Sequence, residues 1–112
     1  MIDLSEKWGV QILGIRTSAA GYMLDFRYRV TDAAKAAPIF KRGNKPVLVD
    51  ERSKQEFQVA SSPTVGPMRS SNAPLVGRTY FMLFGNPGGY IRPGGKVAVK
   101  VGPFHVEGLI VQ

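Results

Sequence analysis

The chain of 112 residues has no cysteine and only one histidine, His105, and these two shortages exclude much of the chemistry of a small enzyme. Without cysteine there are no disulfides, thiolate metal sites or cysteine nucleophiles. A serine nucleophile would depend on His105, and no Gly-x-Ser-x-Gly sequence is present to expose such a serine. Residues 94–96 differ from a phosphate-binding loop, because Tyr90 and Val97 stand where that loop needs a glycine and a hydroxyl residue. We therefore expect a protein that is not an enzyme and that has no cofactor.

A long apolar segment is also missing. The longest stretch without a formal charge covers residues 79–91 and contains asparagine, proline and glycine, whereas a membrane helix needs about 20 mostly apolar residues. Residues 1–8 carry three charges and lack the basic start and apolar middle of a signal peptide. The sequence thus predicts neither a transmembrane segment nor a leader within this chain.

The net charge is strongly positive, +7, and the sequence pI is about 10.1, which favours anionic partners. The 15 basic residues are spread along the chain rather than clustered. The densest group lies in residues 41–54, where acidic residues also occur; a solvated hairpin end is the alternative reading of this segment. Its basic members are candidate interaction residues: Lys41, Arg42, Lys45, Arg52 and Lys54.

Alternation of apolar and polar residues predicts antiparallel β structure. From Tyr22 to Val30 every second residue is large and apolar, which indicates a strand with one buried and one solvated face. Two Pro-Gly-Gly turns, at residues 87–89 and 93–95, separate short apolar segments. Residues 80–84 are all apolar, as in a central strand covered on both faces. Short strands with frequent turns are typical of a sandwich or small barrel.

One short helix is predicted near residues 32–37. Thr31 or Asp32 is a good N-cap, alanines follow, and Pro38 is expected to end the helix. The apolar positions of the predicted strands define the expected hydrophobic core. The residues expected to form the core are Val10, Ile12, Tyr22, Leu24, Phe26, Tyr28, Val47, Val49, Phe57, Phe81, Leu83, Val97, Val99, Val101, Phe104 and Val106.

Residues 61–77 form the longest predicted loop and contain three prolines. Loops of this length are often functional or mobile. Met68 and Arg69, near the middle of the loop, are therefore a second set of candidate interaction residues; the alternative is a flexible connection.

Two segments near the C-terminus carry a family resemblance. Residues 78–87 contain the apolar run Tyr80-Phe81-Met82-Leu83-Phe84 followed by Gly85-Asn86-Pro87, and in residues 91–102 a Pro-Gly-Gly turn leads into the alternating segment from Lys96 to Val101. This arrangement resembles the last strands of bacterial extracytoplasmic immunoglobulin-like domains. The resemblance implies an all-β fold, an immunoglobulin-like antiparallel β-sandwich of 7–8 strands. It implies no ligand and transfers no catalytic residue.

The resemblance also favours a location outside the cytoplasm. We expect residues 1–7 to be an N-terminal extension and residues 8–112 to form a single β-sandwich domain. Either the protein is cytoplasmic, or Met1 is an artificial start that replaces a removed leader or membrane anchor. The second alternative, with a periplasmic or extracellular protein, agrees with the resemblance.

Two further patterns suggest ligands. His105 and Glu107 share one face of a predicted strand and would offer two ligands to a metal, with a third from Asp25 or a methionine; the alternative is an exposed polar strand face. In residues 26–29 aromatic side chains alternate with arginines, but along a strand the two kinds point to opposite faces, so one side of the sheet cannot use both. We therefore expect no metal site, and nucleic acid is not favoured as a partner.

These observations predict a non-catalytic accessory or protein-interaction domain of a bacterial envelope protein, which binds another protein or an anionic surface. One alternative is a small basic β-barrel that binds nucleic acid. A second alternative is a periplasmic metal-binding protein that uses His105.

Overall fold

The computed structural model describes residues 2–62, 66–69 and 73–112. Met1 of the predicted extension and residues 63–65 and 70–72 of the predicted long loop lie outside the described residues. The described strands, in chain order, are β1 (Ile2–Leu4), β2 (Val10–Ser18), β3 (Met23–Val30), β4 (Pro46–Asp50), β5 (Glu56–Gln58), β6 (Ser61–Ser62), β7 (Gly66–Pro67), β8 (Thr79–Gly85), β9 (Lys96–Val101) and β10 (Phe104–Ile110).

Helical elements are few and short. The described helices are α1 (Ser5–Trp8) and α2 (Ala33–Phe40), and two 3-10 turns occupy Ala19–Gly21 and Pro87–Gly89. Within the part of the chain that the structure describes, neither helix has the length and apolar character needed to cross a membrane.

The strands form two antiparallel sheets of four strands and one short hairpin. Sheet A has the order β1-β2-β3-β8, sheet B has the order β10-β9-β4-β5, and β6 pairs with β7. Neighbouring strands are antiparallel throughout. The predicted all-β sandwich is therefore confirmed, with the predicted short helix, α2, between β3 and β4.

The inner faces of the two sheets enclose one hydrophobic core. In sheet A, Phe26 lies opposite Ile15 of β2 and Met82 of β8; in sheet B, Leu48 lies opposite Val99. Burial of each such side chain contributes about 1.5–3 kcal/mol relative to an exposed position. The predicted core residues that are buried are Val10, Ile12, Leu24, Phe26, Tyr28, Phe57, Val97, Val99, Val101, Phe104 and Val106.

Five predicted core residues are not buried, and the prediction is wrong for them: Tyr22, Val47, Val49, Phe81 and Leu83. Tyr22 precedes β3 and is 60% exposed. In β4 and β8 the apolar residues are consecutive, so the pattern does not say which alternate set points inward. Leu48 of β4 and the alternate pair Met82 and Phe84 of β8 are the residues that are buried. Sheet A packs against the core through one face only, so the other set of β8 side chains faces outward, and the predicted covering of residues 80–84 on both faces is wrong.

Helix α2 is longer than predicted. The Asp32 side chain accepts a hydrogen bond from the Lys35 amide at 3.1 Å, which confirms the N-cap. The prediction that Pro38 ends the helix is wrong, because the helix continues to Phe40. Proline removes an amide donor and crowds the carbonyl four residues earlier. Burial of Ile39 and Phe40 against the core offsets this cost and favours helical backbone for two residues beyond Pro38.

Backbone hydrogen bonds also join the sheets along both sides. On one side the Gln112 amide donates to the Ile15 carbonyl at 3.0 Å, and the Thr17 amide donates to the Gln112 carbonyl at 3.0 Å. On the other side the Ala60 amide donates to the Leu83 carbonyl at 2.8 Å. These bonds satisfy backbone groups at the sheet edges, where an added strand would otherwise pair.

The N-terminal residues belong partly to the sheet. Ile2–Leu4 of the predicted extension form β1, which pairs with residues 10–12 of β2. Gly9 lies between α1 and α2 with a φ of 64°, and a Cβ atom there would overlap the Asp32 carbonyl oxygen. Glycine is therefore required where the two helices meet.

Candidate functional site

A surface groove of about 580 Å³ lies where the connection between α2 and β4 meets the end of β5 and the β6–β7 hairpin. Arg42, Lys45 and Arg69 line the groove, and no acidic residue is among the described residues that line it. The other lining residues are Pro46, Val47, Gln58, Val59, Ser61 and Pro67. We call this site the basic groove.

The connection that carries Arg42 and Lys45 is held in a fixed shape. The Asn44 amide donates to the Lys41 carbonyl at 2.9 Å, which closes a turn. The Asn44 side chain donates to the Pro38 carbonyl at 2.8 Å and so ties the turn to α2. Gly102, with a φ of 59°, lies so close to Asn44 that an added Cβ would come within 2.6 Å of its side chain. The turn is thus packed between α2 and the β9–β10 turn.

Arg69 joins this connection to the distant segment 66–69. Its guanidinium donates to the Asn44 carbonyl at 2.8 Å and to the Ile39 carbonyl at 2.5 Å. The backbone of Arg69 bridges to Met82 of β8. The Arg69 side chain therefore brings two segments, far apart in sequence, to one site.

The charge of Arg69 has no carboxylate partner in the described residues. Its Nε atom is buried without a hydrogen-bond partner there. Partial burial lowers the pKa of Arg69, and the nearby Tyr28 acts in the opposite direction; arginine still stays protonated at neutral pH because its ordinary pKa is above about 12. Over residues 2–62, 66–69 and 73–112 the only ion pair is that of Arg27 with Asp25, at 3.0 Å. Three positive charges in one groove without a counter-charge attract an anion.

The structure brings together only some of the predicted interaction residues. Arg42 and Lys45 from the first set meet Arg69 from the second set in the basic groove. Lys41 borders a different depression beside α2. Met68 pairs through its backbone with Ala60 and Leu83 and does not line the groove. Arg52 and Lys54 are exposed in or next to the β4–β5 turn, at the opposite end of β4.

Sequence analysis missed the strand residues of the groove. Val47 and Gln58 lie opposite each other in β4 and β5 and both line the groove. Val47 was predicted to be in the core instead. Nothing in the local pattern showed that Val47 faces outward toward the 66–69 segment.

The predicted metal ligands lie on an exposed strand face. His105 and Glu107 are exposed in β10, and His105 lies opposite Lys100. Asp25, the suggested third ligand, is buried in sheet A and accepts hydrogen bonds from Arg27 at 3.0 and 3.2 Å. The described residues contain no group of three histidine or acidic side chains that would hold a metal ion. A lysine ammonium opposite His105 also repels a cation.

The expectation for residues 26–29 is confirmed: Phe26 and Tyr28 are buried, whereas Arg27 and Arg29 are exposed on the outer face of sheet A. Phe81 of β8 lies directly opposite Arg27 of β3 and is 41% exposed. An aromatic ring and arginines therefore do share one face of the sheet, because the ring comes from the neighbouring strand. The pKa of Arg27 is raised by its hydrogen bond to Asp25 and by the charge of that carboxylate.

Comparison of this chain with protein-family profiles, with curated proteins and with solved structures finds no match.

Proposed function

We propose that this chain is a non-catalytic accessory domain of a bacterial envelope protein, and that its basic groove binds an anionic group of another protein. One observation carries the proposal: Arg42, Lys45 and Arg69 line one groove in which no described residue is acidic. Two of these residues come from the α2–β4 connection and the third from a segment that Arg69 itself fastens to that connection. A site assembled from separate segments agrees with a binding role.

The lining chemistry supports binding rather than catalysis. Ser61 supplies the only hydroxyl among the described lining residues, and His105 is not one of them. Ser61 therefore has no histidine among the described lining residues to activate it as a nucleophile. Val47, Val59 and Pro67 add apolar surface between the basic side chains, which suits an acidic side chain flanked by apolar ones.

Binding is tested with a capped peptide of alternating glutamate and leucine, seven residues long, by isothermal titration calorimetry. The double variant Arg42→Glu/Lys45→Glu is expected to bind about 25-fold more weakly, because each reversal removes an exposed ion pair and adds a repulsion of similar size. The matched control is Arg52→Glu/Lys54→Glu, which changes the net charge equally at the other end of β4. Equal weakening by the two variants would contradict a localised site.

The immunoglobulin-like relationship and the envelope location remain predictions from the resemblance of residues 78–112. The location is tested by the native gene: an encoded signal peptide or membrane anchor upstream of Met1 is expected. A native start at Met1 without either feature would overturn the location.

A second candidate function, nucleic-acid binding, is favoured by the outer face of sheet A. Phe81 opposite Arg27, with Arg16 and Arg29 on the same face, supplies a ring and positive charges for a single strand. Asp3 and Asp25 reduce the net charge of that face. Binding to a single-stranded oligonucleotide that weakens steeply with salt and that Phe81→Ser abolishes would establish this function; binding unaffected by Phe81→Ser would exclude this face.

A further inference from the structure

We infer that the ligand of the basic groove is an extended acidic peptide, which continues from the groove across the outer face of sheet B to Lys100 and His105. The inference rests on the proposed function, because it extends the same site. Strand register is the observation that carries it.

The register places a row of side chains across three strands. Val47 of β4 lines the basic groove and lies opposite Lys100 of β9, and Lys100 lies opposite His105 of β10. Lys100 and His105 are exposed, whereas the residues flanking Lys100, Val99 and Val101, are buried. The row therefore lies on the outer face of the sheet. Adjacent strands are about 4.8 Å apart, so the row extends the site by roughly 10 Å beyond Val47.

The acidic residues of sheet B closest to this row lie two positions along the strands from it, about 7 Å away. Glu56 lies opposite Val49, two residues along β4 from the groove residue Val47. The Glu51 carboxylate accepts a hydrogen bond from the Gly108 amide at 2.8 Å. Glu107, two residues beyond His105, is the nearest acidic residue along β10. The groove and the row thus contain basic residues and no described acidic residue, so together they attract an anionic chain.

The side chains of the row favour a peptide over a nucleic acid. Single-stranded nucleic acid is held by aromatic rings on which its bases stack, and the described residues of the groove and row include no phenylalanine, tyrosine or tryptophan. The row instead contains apolar Val47, which is two residues from Lys45 along the chain and lies opposite Lys100. In an extended peptide alternate side chains are about 7 Å apart on one face, so carboxylates on alternate residues reach successive basic groups of this site.

The test compares a capped Glu-Leu-Glu tripeptide, which covers the groove alone, with the alternating glutamate–leucine heptapeptide. Lys100→Glu is expected to weaken the binding of the heptapeptide about fivefold and to leave the tripeptide unchanged. Lys96→Glu is the matched control, an exposed lysine at the other end of β9, and it is expected to affect neither peptide. The imidazole resonances of His105, the only histidine, are expected to shift with the heptapeptide and not with the tripeptide.

The outcomes separate this inference from the proposed function. Unchanged heptapeptide affinity in Lys100→Glu, with unshifted His105 resonances and weakened binding in Arg42→Glu/Lys45→Glu, would overturn the extension and leave the groove function intact. Heptapeptide binding that neither variant weakens would overturn both. A single-stranded oligonucleotide that shifts the His105 resonances at concentrations where the heptapeptide does not would overturn the assignment of a peptide.

Discussion

Asn86 and Arg69 both hold two chain segments together through hydrogen bonds to backbone groups, but they differ in charge and in burial. Asn86 is fully buried; its amide donates to the Gly21 carbonyl at 2.9 Å and to the Ile91 carbonyl at 2.8 Å, and its oxygen accepts from the Ile91 amide at 2.9 Å. Arg69 is half-buried and lines a groove in which no described residue is acidic. A neutral, fully bonded side chain has no capacity left for a ligand, whereas an uncompensated cation does. We therefore assign the Asn86 region to the scaffold and propose the Arg69 region as the binding site.

The largest expected effect is on stability, at Asn86. Asn86→Leu leaves two carbonyls and one amide without their partner in the interior, and we expect a loss of about 3 kcal/mol in the free energy of unfolding. The matched variant Asn44→Ala, which removes one hydrogen bond from a half-buried side chain, is expected to lose about 1 kcal/mol. Urea denaturation of both variants measures the difference. Equal losses would contradict the structural role assigned to Asn86.

A substitution at Gly102, which packs against the Asn44 turn beside the basic groove, is expected to have an intermediate effect on stability. Gly102→Ala requires a positive φ for alanine and displaces Asn44, so we expect a loss of about 2 kcal/mol and weaker peptide binding. Gly94→Ala has the same backbone penalty, with a φ of 94°, but no neighbour within 4 Å. It is expected to cost about 1 kcal/mol and to leave peptide affinity unchanged. Affinity that Gly102→Ala does not alter would show that the Asn44 turn does not position the groove.

Tyr28→Phe is expected to have the smallest effect on stability. The Tyr28 hydroxyl is buried without a hydrogen-bond partner in the described part of the chain, whereas the Tyr80 hydroxyl accepts from the Leu75 amide at 2.9 Å. Tyr28→Phe is therefore expected to change stability by less than about 1 kcal/mol and not to lower it, and Tyr80→Phe to lower it by about 1 kcal/mol. Denaturant unfolding of the two variants tests this, and a larger loss in Tyr28→Phe would mean that its hydroxyl is bonded.

The same residue gives a pH dependence. Burial raises the pKa of Tyr28 in the folded protein, with Arg69 lowering it by a smaller amount. A raised folded-state pKa means that the contribution to stability is complete below the unfolded value of about 10 and is lost as the pH rises above it. Unfolding measured between about pH 9 and pH 11 is expected to show a steeper loss of stability in the wild type than in Tyr28→Phe. Parallel curves would contradict this assignment.

Sequence patterns predicted the sheet where apolar and polar residues alternate. In β3, inward Phe26 and outward Arg27 follow the pattern, because only one face is buried. In β8 the apolar residues are consecutive, so the sequence does not show which side chains point inward, and Phe81 faces outward. Pro38 was expected to end a helix that the burial of Ile39 and Phe40 extends. Tertiary packing overrides the local preference at Pro38, and in β8 it selects the inward-facing side chains.

Only part of the candidate site could be predicted from the sequence. Arg42, Lys45 and Arg69 were predicted as candidate interaction residues in two loops, but nothing in the local sequence shows that the loops meet. Their meeting depends on hydrogen bonds from Arg69 to Asn44 and Ile39, between residues 25 and 30 positions apart. Lys100 was not recognised at all, because its position beside Val47 comes from the long-range pairing of β4 with β9.

The proposal that the basic groove binds the ligand and that the Asn86 region is scaffold is tested most directly by backbone amide chemical shifts, measured during titration with the glutamate–leucine heptapeptide. We expect the largest shifts at Arg42, Lys45 and Arg69 and unchanged amide resonances at Asn86 and Ile91. Largest shifts around Asn86 and Ile91, with the groove residues unmoved, would contradict the assignment of scaffold and binding site.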